Sequence, residues 1–460
     1  MTRALQGLFS GFVASLSFEP VALWPFAVVA LFFWYRLLIK RSLSQRLIAS
    51  YFFGLGVLLP TQIWTGTYVG NLPWLILCFG QALIFLLPAL LVSRGQRFNA
   101  FAFVASYVLV ELLLRTVPFT GFGWTRLSFT QMDSPLVNLY PVFGTAAVAL
   151  FLAWFAVTTN VKNFALPAIA VFLVSLIPNP VVFTDNVRVA LVQGGVVNLG
   201  LGFNNKPKEV FNRHLNTSKS ELSINQADLI VWPENAVDID IFNNNEVKQQ
   251  ITQLSSDLST PILIGGVTNS PKPRNQSMLF DPELKRVYTK RYLTPFGEYL
   301  PLRAIAERIS SYSKQINDFT AGENPILFES DNFTFRALIC YELLDDRFVQ
   351  ENTADFLILQ TNNATFGDTA QLAQQLNIAR VRAVESSRFI PYVSTTGITS
   401  FISPSGEIIS KIDKFKSAVL VDKIQKANGA TYAQKYGWSV EPLAIMALLF
   451  ILMLRFRGRG

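Results

Sequence analysis

The sequence predicts a protein in two parts: an α-helical membrane bundle, and an α/β domain in which helices cover a mixed β-sheet. The mean hydropathy over 460 residues is +0.34, and only 15% of the residues are charged, against about a quarter in typical globular domains. Long apolar runs occupy both ends of the chain, while short β-rich runs alternate with helical patterns in the middle. Alternating strands and helices of this kind indicate an α/β architecture.

The apolar runs have the length of membrane helices. A spanning helix needs roughly 20 apolar residues and sometimes as few as 17. We expect about seven such helices within residues 1–180 and one more at residues 439–454. The first run is not interpreted as a cleaved signal peptide, because the second follows almost immediately. The seven N-terminal spans are predicted at residues 3–18, 20–39, 46–65, 72–93, 99–118, 141–158 and 163–179.

The positive charges lie beside these runs and predict their orientation. Short loops rich in Lys and Arg stay in the cytoplasm. If the N-terminus is cytoplasmic, the outer loops hold only Arg115 and Arg126. Seven crossings then place residue 180 outside, and an eighth returns the C-terminal tail. Because the excess charge flanks membrane spans, we expect no nucleic-acid partner. The inner positions would be Arg3, Arg36, Lys40, Arg41, Arg46, Arg94, Arg97, Lys162, Arg455, Arg457 and Arg459.

Cysteine and histidine are scarce. The two cysteines, Cys78 in an apolar run and Cys340 in a strand-like run, do not indicate a disulfide framework. The single histidine, His214, argues against a multi-histidine metal site. We expect His214 to lie on the surface of an amphipathic helix, so that it is not available as a catalytic base.

Three residues with reactive or ionisable side chains lie near strand ends, where α/β enzymes place their sites. Glu234 follows the predicted strand 229–231, Cys340 follows the predicted strand 334–339, and Lys290 lies between them in the chain. A cysteine nucleophile needs a proton acceptor, and a nearby lysine would lower the thiol pKa and stabilise an oxyanion. Each residue alone also has an ordinary structural interpretation. Together they predict a cysteine-dependent acyl-transfer site.

These residues resemble the Glu-Lys-Cys triad of the nitrilase superfamily. With the flanking helices, the chain resembles the apolipoprotein N-acyltransferase family over nearly its whole length. This resemblance implies that residues 186–425 form a nitrilase-like α-β-β-α sandwich. The matching segments are residues 232–234, Lys290 with 295–301, 340–342, 361–367, 380–385, 394–397 and 404–406.

The resemblance also implies an activity. Cys340 would receive an acyl chain from a membrane phospholipid as a thioester, and would pass it to the N-terminal amine of diacylglyceryl-cysteine in an apolipoprotein. Glu234 would act as the base and Lys290 would stabilise the tetrahedral intermediates, with no metal or other cofactor. The implied protein is a monomer of the bacterial cytoplasmic membrane, with its catalytic domain on the outer side. The implied supporting residues are Glu298, Glu342, Tyr341 and Asn275.

Three residues are candidates for contacting lipid. Phe203 occupies a segment where the family often carries a tryptophan on a mobile arm, and Thr365 likewise stands where many members have tryptophan. Trp124 and Arg126 lie in a predicted outer loop, where they would either seat a headgroup or, for Trp124, anchor the interface. Glu111, inside an apolar run, is either functional or paired with Arg115 at i,i+4.

Two other classes of function remain open at this point. A membrane-tethered amidase of the nitrilase type, which hydrolyses a small amide, would share Glu234, Lys290 and Cys340. A non-catalytic membrane scaffold or transporter with a sensor domain would need none of them. The scarcity of charges inside the predicted spans argues against transport.

Overall fold

The protein is represented by a computed structural model that describes residues 2–92, 97–158, 161–269, 271–309, 311–351 and 353–457. The chain forms two compact units. The first, here called the helical unit, comprises Met1–Pro180 and Thr431–Gly460. The second, here called the α/β unit, comprises Val181–Ala430.

Within the described residues, each of the eight predicted spans contains helix. The helices are numbered in chain order, and α9–α13 belong to the α/β unit. The N-terminal helices are α1 (Thr2–Ser15), α2 (Pro25–Leu38), α3 (Leu43–Thr61), α4 (Asn71–Ala82), α5 (Leu86–Leu91), α6 (Asn99–Thr116), α7 (Tyr140–Val157) and α8 (Val161–Ser175). The C-terminal helices are α14 (Tyr432–Tyr436) and α15 (Val440–Arg457).

The helical unit is a membrane part by length and composition. In the described part of the chain, five helical stretches are long and apolar enough to cross a membrane. Helices α2 and α8 are apolar but have only 14 and 15 residues, fewer than the roughly 17 that a crossing needs. Helix α1 also has 14 residues. The five stretches are Leu43–Thr61, Asn71–Leu91, Asn99–Thr116, Pro135–Val157 and Tyr432–Arg455.

Small residues let α1 and α3 pack closely. A Cβ atom added at Gly7 would lie 2.2 Å from the Ala49 carbonyl oxygen, and one at Gly11 would lie 2.0 Å from that of Phe53. Glycines four residues apart place a bare strip of backbone on one helix face, which is how membrane helices approach closely without a hydrophobic driving force. The close α1–α3 packing is therefore encoded by the Gly7–Gly11 spacing.

A buried polar cluster joins α6 to the segment before α7. The Glu111 carboxylate accepts hydrogen bonds from the Ser128 amide at 3.0 Å, the Ser128 hydroxyl at 2.5 Å and the Tyr107 hydroxyl at 3.0 Å. Its cationic partner is Arg126, at 3.4 Å. The alternative Glu111–Arg115 pair is wrong, because Arg115 instead forms an ion pair with Glu441 of α15, at 2.7 Å.

This cluster also bears on the predicted lipid contacts in the same segment. Arg126 is fully buried, and its guanidinium donates to Thr145 at 2.8 Å and lies over the Phe129 ring. Trp124 is buried against Trp64 and Phe122. Neither side chain has a surface on which to seat a headgroup, because both fill the interior of the helical unit.

The α/β unit contains two six-stranded sheets and five helices. The strands are β1 (Val182–Gln193), β2 (Leu229–Val231), β3 (Ile262–Thr268), β4 (Arg274–Asp281), β5 (Glu283–Thr289), β6 (Phe328–Glu329), β7 (Thr334–Ile339), β8 (Phe356–Thr361), β9 (Ile390–Ser394), β10 (Thr399–Ile402), β11 (Ile408–Ile412) and β12 (Ala418–Asn428). The helices are α9 (Glu209–Glu221), α10 (Asn245–Leu258), α11 (Arg303–Ile309), α12 (Arg347–Gln350) and α13 (Gln371–Ser386).

The sheets pack face to face. The first has the strand order β12-β1-β2-β3-β4-β5, and the second has the order β11-β10-β9-β8-β7-β6. One apolar core draws side chains from both sheets, such as Leu191 and Val231 from the first and Phe335 and Ile358 from the second. A second core lies between the first sheet and helices α9 and α10. The sandwich of two sheets between helices is confirmed, and each sheet is mixed, with both parallel and antiparallel pairs.

The central strands run parallel, which sets where their ends meet. Strands β1, β2 and β3 pair in parallel in the first sheet, as do β7, β8 and β9 in the second. The chain segments that follow β2 and β7 therefore each begin at the carboxyl end of a parallel strand, β2 in the first sheet and β7 in the second, the usual place for an α/β site.

Candidate active site

The site is assembled at the ends of strands from both sheets. Glu234 follows β2, Asn275 lies on β4 and Lys290 follows β5, all in the first sheet. Cys340 follows β7 in the second sheet. The two sheets therefore contribute different chemistry: the first supplies the charged groups and the second supplies the thiol.

Lys290 is fully buried between two carboxylates. Its Nζ lies 2.8 Å from Glu298 Oε2 and 3.6 Å from Glu234 Oε1. Burial alone would lower the pKa of Lys290, but the negative charges of Glu298 and Glu234 raise the pKa above its ordinary value. The lysine is therefore a permanent ammonium ion in the site, which suits it to stabilise a developing oxyanion rather than to act as a base.

Two amides hold the Glu234 carboxylate in place. Asn275 Nδ2 donates to Glu234 Oε1 at 2.7 Å and also to Glu298 Oε1 at 2.8 Å. The Asn362 backbone amide donates to the second oxygen, Glu234 Oε2, at 2.8 Å. Burial raises the pKa of Glu234, an effect that Lys290 opposes and Glu298 reinforces. A carboxylate with a raised pKa and a fixed orientation is a suitable general base.

Cys340 sits at a strained turn at the end of β7. Its φ angle is +47°, in the left-handed region that non-glycine residues rarely adopt. Strain of this type is concentrated at functional sites. The residue as a whole is only partly buried. Burial and the Glu234 carboxylate raise the pKa of the thiol to about 12, while the Lys290 ammonium lowers it.

The high pKa of the free thiol explains why a base is needed. A cysteine with its pKa near 12 is almost entirely protonated at neutral pH. The thiolate must therefore form during the reaction, when a proton moves to Glu234. The positive charge of Lys290 favours the same step, because it stabilises the negative charge that develops on sulfur and then on oxygen.

Glu342 ties the lysine segment to the cysteine turn. Its Oε1 accepts hydrogen bonds from the Tyr288 hydroxyl and the Arg291 amide, both at 2.7 Å, and its Oε2 accepts from the Ile339 amide at 2.8 Å. Because these partners flank Lys290 and Cys340 in the chain, the carboxylate fixes the separation of the two. Burial raises the pKa of Glu342 to about 7.

Tyr341 and Phe203 lie in different surroundings. Tyr341, next to the nucleophile, is buried and stacks on Tyr292 with ring centroids 5.3 Å apart. It therefore packs the cysteine turn against the segment that carries Lys290. Phe203 is partly exposed and lies in a turn. In the same segment, the Gly200 amide donates a hydrogen bond to the Ala364 carbonyl oxygen at 2.8 Å. Its role as a lipid contact stays a prediction.

One sequence prediction about this unit is wrong. His214 is fully buried on α9, not at the surface, and its ring lies 5.8 Å from that of Trp232. Burial lowers the pKa of His214 to about 4. His214 follows the buried Val210 and Phe211 of α9 by four and three residues. That helical spacing places the histidine on the apolar face of the helix.

Sequence reasoning also missed residues that hold the site. Gln375 of α13 donates from Nε2 to Cys340 Sγ at 3.5 Å, and the Asn362 amide binds Glu234. A run of buried glutamines on α13 (Gln371, Gln374 and Gln375) was the available signal, since glutamine is rarely buried without polar partners. Among the described residues, no group of three or more His, Cys, Asp or Glu side chains is arranged to bind a metal ion.

Comparisons with known proteins match both parts of the chain. Residues 10–158 match the family described as "Apolipoprotein N-acyltransferase N-terminal domain", and residues 188–434 match the family "Carbon-nitrogen hydrolase". A protein of Mycolicibacterium smegmatis named "Apolipoprotein N-acyltransferase" is 30% identical over 98% of this chain and 84% of its own length. A protein of the same name from Wigglesworthia glossinidia brevipalpis is 26% identical over 95% of this chain and 95% of its own length. Another, from Haemophilus influenzae, is 26% identical over 98% of this chain and 94% of its own length.

Proposed function

Because this chain belongs to the apolipoprotein N-acyltransferase family, we propose that it carries an acyl chain from a membrane phospholipid to the N-terminal amine of diacylglyceryl-cysteine in apolipoproteins. The chain is an acyltransferase of the carbon-nitrogen hydrolase superfamily, and it is a membrane protein. The observation that carries the proposal is the buried Glu234–Lys290–Glu298 cluster acting electrostatically on the Cys340 thiol.

The first half-reaction loads the enzyme. Glu234 accepts the thiol proton, and the Cys340 sulfur attacks an ester carbonyl carbon of the phospholipid. Lys290 stabilises the oxyanion of the tetrahedral intermediate. The carbon–oxygen bond then breaks, and the proton held by Glu234 passes to the departing lysophospholipid oxygen. The acyl chain remains on sulfur as a thioester.

The second half-reaction delivers the acyl chain. The α-amine of the lipoprotein attacks the thioester carbonyl carbon while Glu234 accepts a proton from the nitrogen. The oxyanion again forms beside Lys290, the carbon–sulfur bond breaks, and the Cys340 thiolate takes up the proton that Glu234 holds. The cycle is ping-pong, the usual kinetic form for a covalent acyl-enzyme.

The location is part of the proposal. Both substrates are lipids of the membrane surface, and the helical unit contributes residues before and after the α/β unit, so the catalytic part is anchored at both ends. The proposal counts the shorter helices α1, α2 and α8 as crossings, as the sequence predicts, so that seven crossings precede the α/β unit. The bias of basic residues then supports a cytoplasmic tail and an α/β unit on the outer side of the bacterial cytoplasmic membrane. One chain brings Glu234, Lys290 and Cys340 together, which supports a monomeric enzyme.

The acyl-enzyme is directly measurable. Incubating the purified protein with phospholipid should add the mass of one acyl group, located on the peptide that contains Cys340. A diacylglyceryl-cysteine peptide with a free amine should then remove the adduct and become N-acylated, and the same peptide with an acetylated amine should not. Loss of the adduct to water at the same rate with or without the free amine would support the amidase alternative, which the family comparisons do not favour.

The proposed orientation predicts which parts of the chain are accessible from outside. A green fluorescent reporter fused after Gly460 should fluoresce, because the tail is cytoplasmic. A cysteine introduced at Ser405, which is exposed on the α/β unit, should react with a membrane-impermeant maleimide in spheroplasts when Cys78 and Cys340 are replaced by Ala. A dark reporter, or labelling of Ser405→Cys only after the membrane is permeabilised, would contradict this topology.

A further inference from the structure

A buried glutamine lies directly behind the nucleophile. Gln375 is fully buried on α13, and its Nε2 donates to Cys340 Sγ at 3.5 Å. An amide nitrogen carries only donors. A donor directed at sulfur favours the thiolate over the thiol, because a hydrogen bond to the charged form lowers the free energy of that form.

The other end of the same amide is held by several donors. Gln375 Oε1 accepts hydrogen bonds from Asn363 Nδ2 at 2.7 Å and from the hydroxyls of Thr361 and Tyr392, both at 3.0 Å. Gln371 Nε2 lies 3.3 Å away as a fourth donor. An oxygen so surrounded cannot exchange places with the NH₂ group without reversing the partners around it.

The direction of this network is indicated at Ser394. The Gly397 amide donates to Ser394 Oγ at 2.7 Å, and a backbone N–H can only donate. The Ser394 hydroxyl donates to Asn363 Oδ1, 2.5 Å away, a separation typical of an O–H···O bond and shorter than that of an N–H···O bond. Asn363 therefore presents its NH₂ group to Gln375, which leaves the Gln375 NH₂ group facing the sulfur.

Gly397 is needed for this arrangement on steric grounds. A Cβ atom at position 397 would lie 2.5 Å from Asn363 Oδ1 and 2.7 Å from Ser394 Oγ, too close for either atom to remain in place. The motifs at residues 361–367 and 394–397, which the catalytic triad itself does not use, thus meet in one network behind Cys340.

We propose that Gln375 is a positioning residue that stabilises the thiolate formed on Cys340 during the reaction, and that the Gly397–Ser394–Asn363 chain fixes the donor end of its amide toward the sulfur. The inference rests on the proposed function in that Cys340 is taken as the nucleophile. The same donor stabilises the sulfur as a leaving group when the lipoprotein amine displaces it from the thioester.

The test reads the thiol directly. In a Cys78→Ala background, the rate of Cys340 alkylation by iodoacetamide is measured against pH by mass spectrometry of the Cys340 peptide, without phospholipid. Because the thiol pKa lies near 12, we expect Gln375→Leu to lower the alkylation rate roughly 10- to 100-fold at each pH below that value, the size of one hydrogen bond to a charged group. The rate of acyl-adduct formation should fall roughly 10- to 100-fold for the same reason.

Two further variants distinguish the effect of the Gln375 amide donor from the effect of side-chain packing. Gln375→Glu keeps the shape of the side chain, and its carboxylate still accepts from the surrounding donors, so the unit should fold while the thiol pKa rises at least as far as in Gln375→Leu. Asn363→Asp presents an oxygen to Gln375 and should reverse its amide. That change should raise the thiol pKa more when Gln375 is present than in the Gln375→Leu background, a non-additivity that a double-mutant cycle measures.

The matched control lies on the same helix. Ser386 is buried on α13 and donates only to backbone carbonyl groups of its own helix, so Ser386→Ala should leave the alkylation profile unchanged. Unchanged profiles in both Gln375 variants, with thermal stability lowered or not, would overturn the proposal. Shifted profiles in a protein whose wild type never forms an acyl adduct would instead refute the proposed function and leave the positioning of the thiol intact.

Discussion

Replacing Cys340 with alanine is expected to abolish the acyl-enzyme and to reduce lipoprotein N-acylation to background. The substitution removes the only atom on which the thioester forms, and no second nucleophile in the Glu234–Lys290 cluster replaces it. Removing the nucleophile from groups that act as a unit costs about a millionfold in rate. Intact-mass measurement after incubation with phospholipid should show no added acyl group.

The chain provides its own control for this experiment. Cys78, the other cysteine, is fully buried in the helical unit, and Cys78→Ala should acquire the acyl group at Cys340 as the wild type does. Because Cys340→Ala removes a single atom from a residue that is only partly buried, the melting temperature of the protein should change little. An acyl adduct of normal yield in a folded Cys340→Ala protein would end the catalytic assignment.

The second large effect is expected at Glu234. Glu234→Gln retains the size of the side chain but cannot accept the thiol proton, so formation of the acyl-enzyme should slow by roughly 10²- to 10⁴-fold, the usual contribution of a general base. A fluorescent phospholipid makes this step measurable in a single turnover. Glu234→Asp keeps a carboxylate at a greater distance from the sulfur and should retain an intermediate rate.

The same variants predict a pH dependence. Burial raises the pKa of Glu234, so the unprotonated fraction of the carboxylate declines as the pH falls through that raised value. Acylation by the wild type should therefore become slower with falling pH, starting above the ordinary range of a carboxyl group. This dependence should persist in Glu234→Asp and vanish in Glu234→Gln. A residual transition near pH 7 in Glu234→Gln would report Glu342, whose pKa burial raises to about 7.

The division of the site between two sheets has a functional consequence. Lys290 and its carboxylates are held by the first sheet, on β2, β4, β5 and the loops that follow them, whereas the sulfur is held by β7 and α13 of the second half. Glu342 joins the two halves through its bonds to the Tyr288 hydroxyl and the Ile339 amide. A fixed distance between ammonium and sulfur lets one oxyanion position serve both half-reactions, since each passes through a tetrahedral intermediate.

Much of this organisation could be predicted from the sequence, because the signals are local. An apolar run of 20 residues has few alternatives to a membrane helix, and each predicted span contains a helix in the described residues. Glu234 and Cys340 were identifiable because each directly follows a short β-rich run, and Lys290 because it precedes a glycine turn that carries another carboxylate. The reactive side chains and the ends of the strands lie within a few residues of each other in the chain.

Other features were decided by contacts between residues far apart in the chain. The partner of Glu111 is Arg126 and not the nearer Arg115, because the segment after α6 folds back over the carboxylate. Gln375 reaches the sulfur of a residue 35 positions away, and its orientation depends on Gly397.

The sequence by itself therefore determined which residue types are available for catalysis, which segments form apolar helices of the membrane type, and where strands end. Only the tertiary structure decided which donor faces the Cys340 sulfur, which cation neutralises Glu111 and that His214 is buried. The physical reason is that hydrophobic periodicity is a property of neighbouring residues, whereas a hydrogen-bond direction or a desolvated ion pair is a property of atoms that the fold alone brings together.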